Sequence, residues 1–210
     1  MTELLLVRHG ETEWNAGAIF RGRADVNLNE KGAVQAMLLS EYLKNSRLEA
    51  VYSSPLQRAL HTAERIAKPH SLDVMTEPAL VDLDYGEWQG MPLIEVKKIY
   101  KNLYIKWETS PQIVTFPGGE SLDMVRNRSI AMVNKVIKKH EGTVVLVSHR
   151  VVNKVLICSL LDLDTSHFWN IRQETCGISA FSYEKGRFVL IKHNDTSFLG
   201  NLSGKGQNDF

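Results

Sequence analysis

Residues 4–15 read LLLVRHGETEWN. Leu4 to Val7 form an apolar run with no polar break, as a strand covered on both faces of a parallel sheet should. The run then exits into Arg8, His9 and Gly10. A buried strand has no packing reason to end in a cation and an imidazole. In an open parallel sheet, however, the carboxyl ends of the strands are where ligands bind. Whether the pattern repeats along the chain decides the fold class.

It repeats. Residues 48–54 (LEAVYSS), 143–149 (TVVLVSH) and 72–77 (LDVMTE) are further β-branched apolar runs. Helical patterns separate them. In 29–46, Asn29 is placed to cap, and Ala36, Leu39 and Leu43 share a face. In 53–68, Ser54 reads as the cap and Pro55 as the first helical residue. In 119–140, Leu122, Val125, Met132 and Val136 make one stripe, and the cationic end suits the helix dipole. Residues 151–161 give a fourth helix. Residues 177–184 and 187–194 flank Lys185-Gly186 and read as a closing hairpin. The expected fold is α/β, with a mostly parallel central sheet flanked by helices on both faces. Residues 1–200 form a single domain in this reading. Residues 85–119, with tryptophans, Gly-Gly and prolines, read as a small helical, lid-like insertion over one end of the sheet. Residues 201–210 read as a loose polar tail.

The totals narrow the function. With 210 residues the chain has the length for one ordinary core, and its net charge is +1, so no basic excess points to nucleic acid or an anionic membrane. No stretch is long enough to span a bilayer and no secretion signal is evident, so the expected location is cytoplasmic. The two cysteines, Cys158 and Cys176, make no metal cluster and read as reduced thiols. No metal and no cofactor are expected. A homodimer is left open.

Three strand ends carry unusual residues. The first delivers Arg8 and His9, the 143–149 run delivers Ser148, His149 and Arg150, and the 48–54 run leads to Arg58 in the first turn of the next helix. An arginine there is disfavoured by the helix dipole and asks for a reason. Each residue alone has a bland reading: His149 as a structural histidine, Arg8 as half of a salt bridge. If the strands are neighbours, the four groups share a crevice in which they repel, and a bound anion resolves the conflict. His61, one turn past Arg58, is placed near the site. His70, His140 and His167 read as surface or helix-end residues, and His193 as a core residue.

These residues sit in six ordered motifs: RHGETEWN, RGRADVNLNEKG, VYSSPLQRALHTAE, LVDLDYGEWQG, FPGGESL and VVLVSH. Together they resemble the histidine phosphatase superfamily, which includes the cofactor-dependent phosphoglycerate mutases, and the likeness covers most of the chain. It implies a phosphoglycerate mutase-like fold and metal-independent hydrolysis of a small phosphorylated metabolite. His9 would be the nucleophile that carries the phosphoryl group. Arg8, Arg58 and His149 would hold its oxygens, with Asn15 beside them and Arg21 and Gly22 on the substrate. The general acid is a glutamate in the family pattern, where this chain has Asp82; Asp84 is a rival and Glu87 a more distant one. Arg150 stands where the family has glycine, and Arg21 where it often has glutamine. Either they face the substrate and favour a second negative group, or they are surface residues. The short insertion and DYGEWQG resemble the phosphatase branch, with its α-ribazole and phosphoserine phosphatases. A mutase, and a non-catalytic phospho-ligand-binding protein on the same scaffold, are the alternatives.

Overall fold

A computed structural model of the chain describes residues 1–203. Six strands form one sheet: β1 (Thr2–Arg8), β2 (Leu48–Ser53), β3 (Val74–Thr76), β4 (Thr143–Ser148), β5 (Ile178–Glu184) and β6 (Arg187–Asp195). Their order is β3-β2-β4-β1-β5-β6. The first four are mutually parallel, and β5 and β6 add an antiparallel hairpin beside β1. Lys185 and Gly186 at its tip both have positive φ, 49° and 83°, which matches the right-handed twist of the strands they join.

Among the described residues seven α-helices accompany the sheet: α1 (Glu13–Ala16), α2 (Glu30–Leu43), α3 (Gln57–Ala67), α4 (Leu93–Ile99), α5 (Lys101–Thr109), α6 (Leu122–Lys139) and α7 (Arg150–Leu160). The period-two alternation of each strand divides the core. Leu5, Val7, Val51, Val145 and Val147 face one way, with Leu39, Ala59 and Ile66 of α2 and α3. Leu4, Leu6, Leu146 and Tyr52 face the other, with Val125 and Val133 of α6 and Val155 and Leu156 of α7. Both faces are therefore dry, which is why these strands read as continuous apolar runs.

Of the two expected caps, Asn29 holds and Ser54 does not, and Ser121 caps α6 without having been expected to. Asn29 accepts from the Gly32 amide at 2.7 Å and Ser121 from the Met124 amide at 3.3 Å. At α3 the helix starts at Gln57 with Leu56 in the capping position, two residues later than the Ser54-Pro55 reading. The Ser54 hydroxyl does accept from the Leu56 amide, at 3.3 Å, but it also lies 2.7 Å from a ring nitrogen of His149. A second duty pulls it off the helix end.

The 85–119 segment packs into the main core. Trp88 and Trp107 are fully buried in the same cluster as Leu146 and Val155. Trp88 meets the Phe116 ring edge-on at 4.9 Å and Phe20 at 5.1 Å, and Trp107 reaches Phe168 at 5.1 Å. Two glycines clasp its ends together. A Cβ on Gly86, whose φ is +51°, would lie 2.0 Å from the Pro117 carbonyl oxygen, and one on Gly119 2.3 Å from that of Asp84. Of the 201–210 tail, residues 204–210 lie outside the described residues. Asn201 and Leu202 are not loose: they end a 3-10 segment, Ser197–Leu202, and the Gln35 side-chain amide donates to the Leu202 carbonyl at 2.8 Å. Among the described residues no helix is long and apolar enough to cross a membrane.

Candidate active site

The strand order makes β2, β4 and β1 neighbours, and register sets their ends level. Arg8 pairs with Ser148 and Ser53 with Val147. The ladder continues past the strands: the His9 amide donates to the Ser148 carbonyl and the Ser54 amide to the Val147 carbonyl, both at 3.0 Å. His9 and His149 therefore leave adjacent strands side by side, with ring centroids 5.1 Å apart. Arg8, His9, Arg58 and His149 are each 0–1% exposed, which ordinary surface arginines and histidines never are.

Each group is held. The His9 Nδ1–H donates to the Gly10 carbonyl at 2.6 Å, and this leaves the lone pair on Nε2. Gly10 can make this turn because its backbone runs against the start of α2: a Cβ would lie 2.6 Å from the Gly32 carbonyl oxygen. The Gly10 amide donates to Thr62 Oγ1 at 3.1 Å. Arg8 Nη1 donates to the Gln173 carbonyl at 2.7 Å. Arg58 donates to the Ala24 and Gly22 carbonyls at 2.7 and 2.8 Å, and its Nη2 lies 3.3 Å from Asp82 Oδ2. The same Asp82 oxygen is 3.6 Å from His149 Nδ1. Asn15 uses its side-chain oxygen to accept from the Thr12 amide and hydroxyl, both at 2.9 Å, which leaves its buried amide NH₂ without a partner in the protein.

Electrostatics follow from that crowding. Burial, then the charges of Arg58, Arg8 and Arg21, hold the proton affinity of His9 well below that of an ordinary histidine. Burial and Arg58 do the same for His149. Both rings are neutral at pH 7. Asn15 Nδ2, Arg58 Nε and His149 Nδ1 are buried and have no hydrogen-bond partner within the protein. Buried donors without partners are costly, so the Asn15 amide and Arg58 Nε suit an oxyanion.

A cleft opens beside this cluster, lined by Ile19, Phe20, Arg21, Gly22, Asp82, Tyr85, Arg150 and Val151. Tyr85 is buried, which pushes its hydroxyl up to about 12, so it stays a neutral donor. The Arg150 guanidinium sits against that hydroxyl and 5.7 Å from the Trp169 ring centroid. Among the described residues no three His, Cys, Asp or Glu side chains are grouped to hold a metal ion.

The histidine phosphatase superfamily (branch 1) family model matches residues 4–196. The chain belongs to the histidine phosphatase superfamily. This histidine phosphatase is 40% identical over 201 residues to phosphoserine phosphatase 1 of Hydrogenobacter thermophilus, covering 95% of each chain. Its fold matches the solved structure of Bacillus stearothermophilus YhfR with a TM-score of 0.91 at 29% identity, over 95% of this chain and 100% of that one. It also matches Entamoeba histolytica phosphoserine phosphatase in complex with 3-phosphoglyceric acid, with a TM-score of 0.84 at 29% identity, over 95% and 100%. Phosphoric monoester hydrolysis is its reaction class, on the phosphatase side of the family.

Most of the sequence-derived candidates of this histidine phosphatase are brought together: Arg8, His9, Arg58, Asp82 and His149 around one point, and Arg21 and Gly22 along the cleft, while Asn15 is buried in α1, which follows Gly10 closely. The two acids that the sequence leaves equivalent have different surroundings. Asp82 is 6% exposed and faces Arg58 and His149. Asp84 instead accepts from the Gly86 amide at 2.9 Å, closing the turn that the positive φ of Gly86 creates, and pairs with Arg23 at 3.3 Å. Glu87 is exposed and accepts from the Tyr100 hydroxyl at 2.7 Å. Arg150 is no surface residue: it is 7% exposed and lines the cleft.

Two histidine readings need correction. His61 is exposed beside Glu64 and Arg65, away from the site. His193 is exposed on the edge strand, where it was expected in the core, because β6 presents that register position to solvent. Both cysteines are free and buried. Four supporting residues were not identified as part of the site from the sequence. Ser54 contacts His149, Thr62 links Gly10 to the Arg58 carbonyl, Gln173 receives Arg8, and Arg128 donates to the Asp82 carbonyl at 3.2 Å while gripping Glu120.

Proposed function

We propose that this protein hydrolyses small phosphomonoesters through a phosphohistidine on His9. The observation that carries the reading is the His9 ring: neutral, its Nδ1–H tied to the Gly10 carbonyl, its Nε2 set among Arg8, Arg58 and His149. Nε2 attacks phosphorus while Arg8, Arg58, Asn15 and His149 receive the equatorial oxygens, where charge is spread in the transition state. Asp82 gives a proton to the departing oxygen as the P–O bond breaks. It then takes a proton from water, which attacks phosphorus and breaks the P–N bond, releasing inorganic phosphate and neutral His9.

Aspartate is one methylene shorter than the glutamate usual in this family. The Arg128 grip on the Asp82 carbonyl and the Leu83 amide bond to Asp82 Oδ1, at 2.9 Å, support its role by fixing where the short side chain points. The aromatic packing of 85–119 supports its reading as a fixed wall of the cleft.

The test is turnover of p-nitrophenyl phosphate, phosphoserine and 3-phosphoglycerate in EDTA, beside a mutase assay with and without 2,3-bisphosphoglycerate. Phosphate release that persists in EDTA is expected. Loss on chelation with recovery on adding Mg²⁺ would overturn the mechanism, and 2-phosphoglycerate formation outpacing phosphate release would make the protein a mutase.

A further inference from the structure

An aspartate in place of glutamate has one side-chain torsion fewer, so the position of its carboxyl depends more on its own backbone. At Asp82 that backbone has little regular structure of its own. A short 3-10 turn, Pro78–Leu80, leads into Val81 in extended conformation, and residues 82–85 lie outside any helix or strand.

Side chains hold the segment instead. Arg128 of α6 donates from Nη1 to the Ala79 carbonyl at 2.7 Å and from Nη2 to the Asp82 carbonyl at 3.2 Å. Its guanidinium is gripped in turn by the Glu120 carboxylate, with Nε 3.1 Å from Oε1 and Nη2 3.1 Å from Oε2. Glu120 stands just before the Ser121 cap of α6 and is 8% exposed. Its carboxylate also accepts from the Asp84 amide at 3.1 Å and meets Arg23 Nη2 at 3.1 Å. Its own amide donates to the Asp84 carbonyl at 2.9 Å. One buried carboxylate therefore ties α6 to the acid segment and to the 22–24 loop, whose Gly22 and Ala24 carbonyls hold Arg58.

Stability alone gives no reason for this arrangement, because a buried ion pair is often no more stabilising than apolar side chains of the same volume. Placement does give one. The Asp82 carbonyl is anchored by Arg128, while its Oδ2 lies 3.3 Å from Arg58 Nη2 and 3.6 Å from His149 Nδ1. Without the Glu120 charge, the guanidinium keeps only neutral carbonyls to orient it, and the short acid has no spare torsion to correct a shift of its backbone.

We propose that Glu120 is a positioning residue for the general acid: through Arg128 it fixes the backbone at Asp82, so that proton delivery to the leaving oxygen depends on it. The inference rests on the phosphatase reading with Asp82 as the acid. Glu120 and Arg128 take no part in bond breaking.

The test is kcat/KM for aryl and alkyl phosphates with leaving groups of rising basicity, because that ratio covers the steps through departure of the leaving oxygen. Glu120→Gln keeps the shape and removes the charge. It should lower kcat/KM by about tenfold for alkyl phosphates and by less than about threefold for p-nitrophenyl phosphate, within the roughly 10²-fold that a misplacement of about 1 Å can cost. Arg128→Lys breaks the same link from its other partner, since an ammonium cannot span two carbonyls and a carboxylate, and should show the same steepening. In an Asp82→Asn background Glu120→Gln should add nothing to the leaving-group dependence, because the group it places is gone. An equal loss for every leaving group, with a lower unfolding midpoint, would reduce Glu120 to a structural role. So would extra leaving-group dependence from Glu120→Gln on top of Asp82→Asn. Steepening in Asp82→Asn with a parental profile in Glu120→Gln and Arg128→Lys would overturn the positioning role alone. No steepening in Asp82→Asn would remove the acid assignment and this role with it.

Discussion

The two ends of the cleft are built differently. At the phosphate end, His9, Arg8 and His149 hang from the ends of adjacent parallel strands, and backbone register alone brings the histidine rings to 5.1 Å. At the far end, Arg21, Tyr85 and Arg150 come from a loop, the inserted segment and a helix start, and an aromatic cluster around Trp88 and Phe116 holds the wall in place. Sheet geometry tolerates little variation, whereas loops on a packed wall can change while the chemistry stays. Reaction class should therefore reside at the first end and substrate choice at the second.

The comparison is broken most severely by removing the acid that stands between the two ends. Asp82→Asn should slow turnover by about 10²–10⁴-fold, the usual scale for a general acid or base. The loss should be larger for alkyl phosphates than for p-nitrophenyl phosphate, because a nitrophenolate departs without a proton and an alkoxide does not. Asp84→Asn should cost stability through the Arg23 pair and the Gly86 turn, with no such leaving-group dependence. The opposite pattern would move the acid to Asp84.

A smaller effect should follow from loosening the wall. Gly86→Ala forces a Cβ to 2.0 Å from the Pro117 carbonyl oxygen at a φ of +51°. It should destabilise the protein by about 2–3 kcal/mol in denaturant unfolding, the scale of strain at a special backbone position. KM for phosphomonoesters should rise more than kcat falls. A fall confined to kcat would mean that the wall also organises the phosphate end.

How legible these two ends were in the sequence follows the same division. Arg8, His9, Arg58 and His149 stand where a periodic pattern stops, so strand ends and a first helical turn disclosed them. Asp82 and Asp84 could not be separated, because residues two apart share a face in any extended segment. The turn at Gly86 and the pair with Arg23, both tertiary features, give the two acids different surroundings. Ser54 was mistaken for a cap because its other partner, His149, is 95 residues away. Arg128 and Gln173 were invisible for the same reason: their partners are backbone carbonyls of distant segments, and such contacts leave no mark on residue type. The aromatic wall was read only as a lid-like insertion because its tryptophans have no period to count.

The smallest effect concerns pH. His9 and His149 have native proton affinities held well below normal, so near pH 6.5 the unfolded chain binds protons that the native state does not. Their contribution is level above pH 6.5, and stability falls as pH drops below it, by up to about 1.4 kcal/mol per pH unit for each ring. Denaturant unfolding between pH 7.5 and 5.5 should show a shallower slope in His149→Gln than in the parent. Equal slopes would show that the His149 ring does not enter the native state neutral.

The central claim is that the strand end at residues 8–10 delivers a nucleophile. Rapid-quench trapping with a radiolabelled phosphomonoester tests it directly. The account predicts an acid-labile, base-stable label on the peptide containing His9, formed and lost at rates consistent with turnover, and absent from His9→Ala together with activity. Turnover retained in His9→Ala, or a label on any other residue, would contradict it.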